Sequence, residues 1–491
     1  MAGFPEDQYQ RWRRARSVSA QLREQERPQP PPERLLQLIW LHQRLRRDDV
    51  HTTDGQPLVV LHPGFWNREA GPDFREAVIQ IGEPPARVGD VEVDLWPGGW
   101  SQHQHQVNPA YRKVILHVVW ESPGTASGAL PTMAMREWID APLAQLEPWL
   151  GGLNAAELPP ALRGACVDPL SRLAAGGFEE LLRQAARVRL EQKAARFQAR
   201  ARHAGWEQAL WEGLFGALGY KHNVWPLRRL AELLPRFRAG VDGRPLSARR
   251  WQVLLLGVAG LLPDPSARPF RGVDAFLIAL WNEWWRERAR FAEELIPRGL
   301  WRFHGIRPAN HPARRLALAA HWLADPAWLD RLEGWLVEDI PDRRLPATLL
   351  ERWQVAPHDY WSWHWTLRSG HLARPRPWLG QQRVTDLAMN VVLPWLWSRA
   401  GTGGDPALLG RAEHRYFAWP AAQDNAVLRL ARQRLLAGRS LPRPRRAADQ
   451  QGLLQIVRDF CDHADALCQS CPFPDLVNAA GLSGGQPGEV D

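Results

Sequence analysis

Residues 58–120 read LVVLHPGFWNREAGPDFREAVIQIGEPPARVGDVEVDLWPGGWSQHQHQVNPAYRKVILHVVW, and this stretch decides the fold. Pro57–Leu61 is a short strand that ends at the Pro63-Gly64 turn. Val78–Ile81 and Val88–Leu95 form two more strands, joined through Gly82-Glu83-Pro84-Pro85. Trp100–Tyr111 is polar and short and reads as one helix, and the unbroken apolar run Val114–Trp120 as a buried strand. Upstream, ERLLQLIWLHQRL (33–45) carries Leu35, Leu36, Ile39, Trp40 and Leu45 at helical spacing. The expected order is helix, three strands, helix, strand.

Beyond Pro131 the pattern turns helical. Helices are expected at 177–201, 206–218, 249–262, 274–294, 311–324, 327–337, 384–399 and 426–437. No fixed period marks a solenoid. The chain therefore reads as an α/β N-terminal domain plus a larger all-α domain. Its expected parts are a flexible arm (1–32), the α/β domain (33–140), the helical domain (160–438), a basic linker (439–451), a helix with clustered cysteines (452–480) and a disordered tail (481–491). At 491 residues, two or three domains are expected. The 27 Trp suit packing between helices. A net charge of +9, mostly from Arg, permits a polyanionic partner. The N-terminus has no apolar signal-type core, and the most apolar run, Val253–Leu262, is too short to span a bilayer, so a cytoplasmic protein off the membrane is expected.

Strand parity puts Glu92 and Asp94 on one face, about 6.5–7 Å apart, while Val91, Val93 and Leu95 turn to the core. Two carboxylates on one face repel, and a divalent cation such as Mg²⁺ or Mn²⁺ resolves the conflict because it prefers oxygen ligands. Asp73, in Gly71-Pro72-Asp73, can complete the set. Such an ion activates water and clamps a scissile phosphate. The competing reading is a solvated edge strand and an ordinary turn. His103 and His105 follow, and an imidazole there can act as acid toward a leaving oxygen. His117, inside the apolar strand, is either a core histidine or a neighbour of Glu92 and Asp94. The helix at 177–201 carries Arg183 and Arg187 on a basic face that would suit a nucleic-acid backbone or simply face water. Arg307 can line a phosphate groove, with Asn310 capping the helix that starts near Pro312.

The four cysteines are Cys166, Cys461, Cys468 and Cys471. Together they offer four thiolates for Zn²⁺ or an iron–sulfur cluster; buried free thiols are the alternative.

The order helix–three strands–helix–strand, with Pro-Asp before the second strand and Glu-x-Asp on the third, resembles the PD-(D/E)xK nuclease superfamily, a restriction-endonuclease-like αβββαβ core. That resemblance implies metal ligation by Asp73 and Glu92. It places a lysine where this chain has Asp94, so Lys113 or Arg112 would supply the cation, and Glu33 is a weaker ligand candidate. Some nucleases of that superfamily carry one distant cysteine and a C-terminal triplet around a four-iron (4Fe-4S) cluster, a pattern this chain resembles. The pieces ERLLQLIWLHQ, TTDGQPL, HPG, AGPDF, GDVEVDL, W-x2-H-x-H, GWEQALWEGLFGALGYKHN and RPANHPARRL are together similar to the bacterial family called domain of unknown function 2851. The expected function is metal-dependent hydrolysis of DNA or RNA, with a non-catalytic nucleic-acid-binding or assembly protein as the alternative.

Overall fold

In the computed structural model the described residues are 7–13, 31–47, 49–67, 71–103, 105–121, 130–140, 143, 164–173, 176–220, 222–239, 245–262, 275–303, 306–356, 360–423, 426–436, 445–461, 468 and 471–482. Helix α1 (Glu33–Leu41) precedes strands β1 (Leu58–His62), β2 (Phe65–Trp66), β3 (Phe74–Ile81) and β4 (Arg87–Asp94), a one-turn helix α2 (Gly99–Gln102), and strands β5 (Val114–Val119) and β6 (Thr132–Ala134). The sheet runs β1-β3-β4-β5-β6, with β2 on β3. β1, β3 and β4 are antiparallel neighbours, whereas β5 lies parallel to β4 and β6 parallel to β5.

Three strands follow the sequence reading closely. β3 starts four residues earlier than expected, because Arg75 and Glu76 break its alternation at a bulge. The register shifts there and Glu76 takes φ 58°. Helix α1 lays Leu35, Leu36, Ile39 and Trp40 against Val91, Val93, Leu116 and Val118. Each such side chain contributes about 1.5–3 kcal/mol on burial. The Trp40 indole N–H also donates to the Pro63 carbonyl at 2.9 Å, which fixes the helix over the β1–β2 turn.

The helical part is built on α3 (Gly177–Ala204), a rod of about 42 Å. Around it lie α4 (Trp206–Leu218), α5 (Val224–Glu232), α6 (Ala248–Val258), α7 (Pro312–Leu323), α8 (Leu393–Gly403), α9 (Pro406–Ala418), α10 (Ala447–Ile456) and α11 (Phe473–Leu482). One apolar core links α3 to α10 and takes in Val78 of β3, while α11 packs in a separate core with Tyr9, Trp12 and Phe460. Arg302 adds a second tie, stacking 4.2 Å over Phe65. No described helix is long and apolar enough to cross a membrane.

Several expectations need correction. The arm is not free over residues 8–13: this short helix buries Tyr9 and Trp12 beside Phe460 and Phe473, and the Tyr9 hydroxyl donates to Asp459 Oδ2 at 2.8 Å. Helix α10 starts at Ala447, inside the expected linker, because Asp449 accepts from the backbone N–H groups of Arg445 and Arg446. Residues 439–444 of that linker and 483–491 of the expected tail lie outside the described residues. Asn310 does not cap α7. His311 does, accepting from the Ala313 N–H at 3.3 Å, while Asn310 Oδ1 accepts from Arg315 at 2.8 Å.

Candidate functional site

On β4 the alternation separates two environments. Val91 and Val93 enter the core with α1, and Glu92 and Asp94 project the other way, 7% and 4% exposed. β5 supplies His117 on the rung beside Glu92, and its Nε2 lies 2.8 Å from Asp94 Oδ2. Parallel pairing gives partner residues a common face, which is why His117 lies with the acids. Asp73 arrives at the start of β3. Its backbone N–H donates to Glu92 Oε2 at 3.0 Å, and its Oδ2 accepts from the Val93 N–H at 3.2 Å. From α1, Gln37 Nε2 reaches Asp73 Oδ1 at 2.9 Å and Glu33 Oε1 at 3.1 Å, which brings Glu33 to the same cluster.

The chain after β4 folds back over these acids. Gly99 opens α2 directly against Asp94: a Cβ at that position would sit 2.8 Å from Asp94 Cγ. His103 Nδ1 lies 3.7 Å from Asp94 Oδ1, at the exposed rim, and buried His105 Nε2 lies 3.3 Å from Glu92 Oε1. Trp100 and Tyr111 close the wall, Tyr111 stacking on His105 at 3.8 Å and Trp100 lying 5.6 Å from His117.

Four carboxyl groups thus share a desolvated corner. Burial, with Asp73 next, pushes Glu92 up to about 9, and burial, with Glu33 next, pushes Asp73 up to about 7. Glu33 is raised by burial and by Asp94. Tyr111 is pushed up to about 12 by burial and then by Glu92. Burial holds His105 below the usual histidine range, so its ring is neutral and has a lone pair to offer. Neither ring nitrogen of His105 makes a hydrogen bond among the described residues. One ligand atom each from Asp94, His103 and His105 falls within 4.8 Å of the others.

The structure therefore brings Asp73, Glu92, Asp94, His103 and His105 together with Glu33 and His117, which the sequence also offered, and adds Gln37, Trp100 and Tyr111. Strand parity was the signal for His117; the spatial return of Trp100 and Tyr111 has no signature in spacing. Lys113 does not join them. It is exposed at the start of β5, where its carbonyl accepts from the Asp90 N–H at 2.8 Å, and His117 rather than Lys113 pairs with Glu92. The expected nucleic-acid contacts Arg183 and Arg187 are engaged elsewhere. Arg183 pairs with Glu180 at 2.8 Å, and Arg187 with Glu413 of α9, because α3 is the packed centre of the helical part. Arg307 is exposed, its carbonyl accepting from the Asn310 N–H at 2.8 Å.

The cysteines meet at a second place. Cys166 is buried, and its thiol is pushed up to about 12 by burial and then by Cys468 and Cys471. Cys468 Sγ accepts from the Ala165 N–H at 3.5 Å and from Arg434 at 3.4 Å. Cys461 and Cys471 pack against the same core as Cys166.

Residues 33–421 match the family described as "Protein of unknown function (DUF2851)". No curated protein and no solved structure matches the chain. The match spans the sheet, its carboxylate corner and most of the helical part, and the chain belongs to the DUF2851 family of proteins of unknown function.

Proposed function

We propose that the protein is a divalent-metal-dependent nuclease that hydrolyses phosphodiester bonds of DNA or RNA at the Asp73–Glu92–Asp94 corner. One observation carries the reading: buried carboxyl groups press on one another beside a buried histidine whose ring nitrogens make no hydrogen bond among the described residues. Like charges in a desolvated site are costly, and a cation reconciles them. The antiparallel run β1-β3-β4 followed by the parallel β5, with acids at the start of β3 and on β4, supports a restriction-endonuclease-like core of the PD-(D/E)xK type.

Asp94, His103 and His105 fit a divalent ion, with Glu92 and Asp73 beside them. Because carboxylate and imidazole donors mix, Mn²⁺ suits the set better than Mg²⁺. A bound ion would supply charge to a phosphate and a nucleophilic water. The chain's own residues do the rest. His117 holds Asp94 in orientation, and Trp100 and Tyr111 exclude bulk water from His105.

The position of Lys113 favours a second reading, a nucleic-acid-binding or assembly protein that keeps the corner without turnover. Mn²⁺-dependent cleavage of single- and double-stranded DNA and RNA by wild type and Glu92→Ala separates the two. Cleavage by wild type alone supports the nuclease, and none by either supports the scaffold. Equal cleavage by both assigns the activity to a contaminant. Convergence of Cys166 on Cys468 and Cys471 also supports a thiolate-bound Zn²⁺ or 4Fe-4S cluster that ties the C-terminal segment to residues 164–173.

A further inference from the structure

Beyond the far end of α1, the sheet-bearing and helical parts enclose a cavity of about 390 Å³. Its walls are strongly basic. Arg44, Arg46 and Arg47 come from the segment after α1; Lys193, Arg196 and Arg200 lie at helical spacing on α3; Arg228 comes from α5. Three carboxylates line the same cavity: Asp49, Asp140 and Glu212. Seven cations against three anions leave four positive charges in excess, and Glu232 behind the wall pairs with Arg47 and reduces that excess to three. Two of the anions are already engaged, Asp140 with Arg44 at 2.7 Å and Glu212 with Arg200 at 2.9 Å.

Such an excess is costly in a concave site. Burial, followed by the like charges of Arg458 and Arg44, holds Arg196 well below its ordinary range. Lys193 is lowered in the same direction by burial and by Arg189. Among the described residues its ammonium donates to neutral acceptors: Gln451 Oε1 at 2.7 Å, Asn390 Oδ1 at 2.8 Å and the Met389 carbonyl at 3.1 Å. Met389 and Asn390 belong to a π-helical turn, Ala388–Val392, a departure from the α-helix found frequently at functional sites. Tyr220 stands at the rim, 54% exposed, with φ 59°, a backbone conformation that an aromatic residue rarely adopts. Arg196 lines the cavity wall among these charges.

We propose that this cavity binds a compact polyphosphate, either free or as the tail of a nucleotide. The guanidinium forks of Arg196 and Arg228 match phosphate oxygens, and the excess charge is of the size and sign that a triphosphate neutralises. The volume is at the small-ligand end of the range for binding pockets, about 300–1,000 Å³, and fits a mononucleotide rather than a duplex. Phe197 and Tyr220 offer aromatic surface to a base. The site is separate from the carboxylate corner and does not depend on the nuclease reading.

The test uses the full chain, titrated by calorimetry with sodium triphosphate and with ATP, and melted in each and in sulfate at matched ionic strength. Triphosphate binds saturably and raises the melting temperature above that in sulfate. Arg196→Gln and Arg228→Gln each weaken binding about tenfold or more, while the remote Arg288→Gln binds as wild type does. Tighter binding of ATP than of triphosphate identifies a nucleotide, and equal binding a free polyphosphate. The proposal is overturned if folded protein shows no saturable binding at millimolar triphosphate, or if both variants bind as wild type does. It is equally overturned if a single-stranded oligonucleotide occupies the site without competition from triphosphate.

Discussion

Asp73 and Glu92 are joined through the backbone: the Asp73 N–H donates to Glu92 Oε2 at 3.0 Å, while the Asp73 carboxyl is held by the Val93 N–H. Main-chain donors thus fix two acids side by side. The first prediction follows from that arrangement. Metal-free protein holds a proton on Glu92 that the unfolded chain releases near its ordinary 4.5, since the folded group titrates at about 9. The folded state binds more protons, so stability falls as pH rises from about 4.5 through about 9. Glu92→Gln, which keeps the acceptor and removes the charge, raises stability in chelator at pH 8 by about 1–3 kcal/mol and abolishes Mn²⁺ stabilisation. Chemical denaturation with chelator and with Mn²⁺ measures both effects; a destabilised glutamine variant in chelator would contradict the argument.

Metal affinity should follow the ring nitrogens. His105→Ala and Asp94→Ala each remove a direct ligand and lose calorimetric Mn²⁺ binding by about a hundredfold or more. His117→Ala disorients Asp94 and costs about 10–100-fold, the range for partners that orient a ligand. Lys113→Ala leaves binding unchanged. A Lys113 variant that lost Mn²⁺ or cleavage would restore the relocated-lysine reading.

Gly99 has no room for a methyl group beside Asp94. Gly99→Ala must push the Asp94 carboxyl or α2 aside, at a cost of about 1–3 kcal/mol in a denaturant melt, and it weakens Mn²⁺ binding in parallel. Full metal affinity with lowered stability would place the strain in α2 rather than at Asp94.

His62, 2% exposed, accepts from the Gly64 N–H at 3.0 Å, so the fold holds its neutral ring. Burial, followed by the Arg302 charge, lowers it from 6.5 to about 4. The unfolded chain takes up this proton first, and stability present above pH 6.5 is lost as pH falls toward about 4, up to about 3 kcal/mol. His62→Asn keeps an acceptor for Gly64 but no titrating ring, and flattens the acid limb of the stability profile. An unchanged limb would assign the acid loss to other groups.

Protein purified without oxygen should carry bound metal at the cysteines, read by elemental analysis. Zinc without colour marks a Zn²⁺ site, and iron with visible absorption marks a cluster. Cys166→Ser lowers the metal content in either case and loosens the C-terminal segment to proteolysis. Four freely titrating thiols in metal-free protein would refute the site.

Much of the sheet was legible because its period is local. Alternation in GDVEVDL sets the faces of β4, and parity through a parallel pair places His117. Long helices such as Gly177–Ala204 and Trp206–Leu218 were legible for the same reason. What escaped depends on distant partners. The basic stripe of α3 looks solvent-facing in sequence, yet Glu413, 226 residues beyond Arg187, pairs with it, and the neutral acceptors of Lys193 come from α10 and the π-helical turn. Tyr9 and Trp12 sit in a polar N-terminal stretch, and their core comes from far along the chain, Phe460 and Phe473 among it. β6 is three residues long and owes its existence to the parallel edge of β5.

Helix α1 has a consequence of register. Its first residue, Glu33, touches the acidic corner, and the chain leaving its last turn delivers Arg44 to the basic cavity. Nine residues at 1.5 Å each hold these two regions of opposite charge about 13 Å apart. One residue inserted within 33–41 would leave every charged side chain in place by name yet turn one end by about 100° against the other. The distance and bearing between the two charge centres are therefore set by helical pitch, and a single-residue change in length is the mutation this stretch tolerates least.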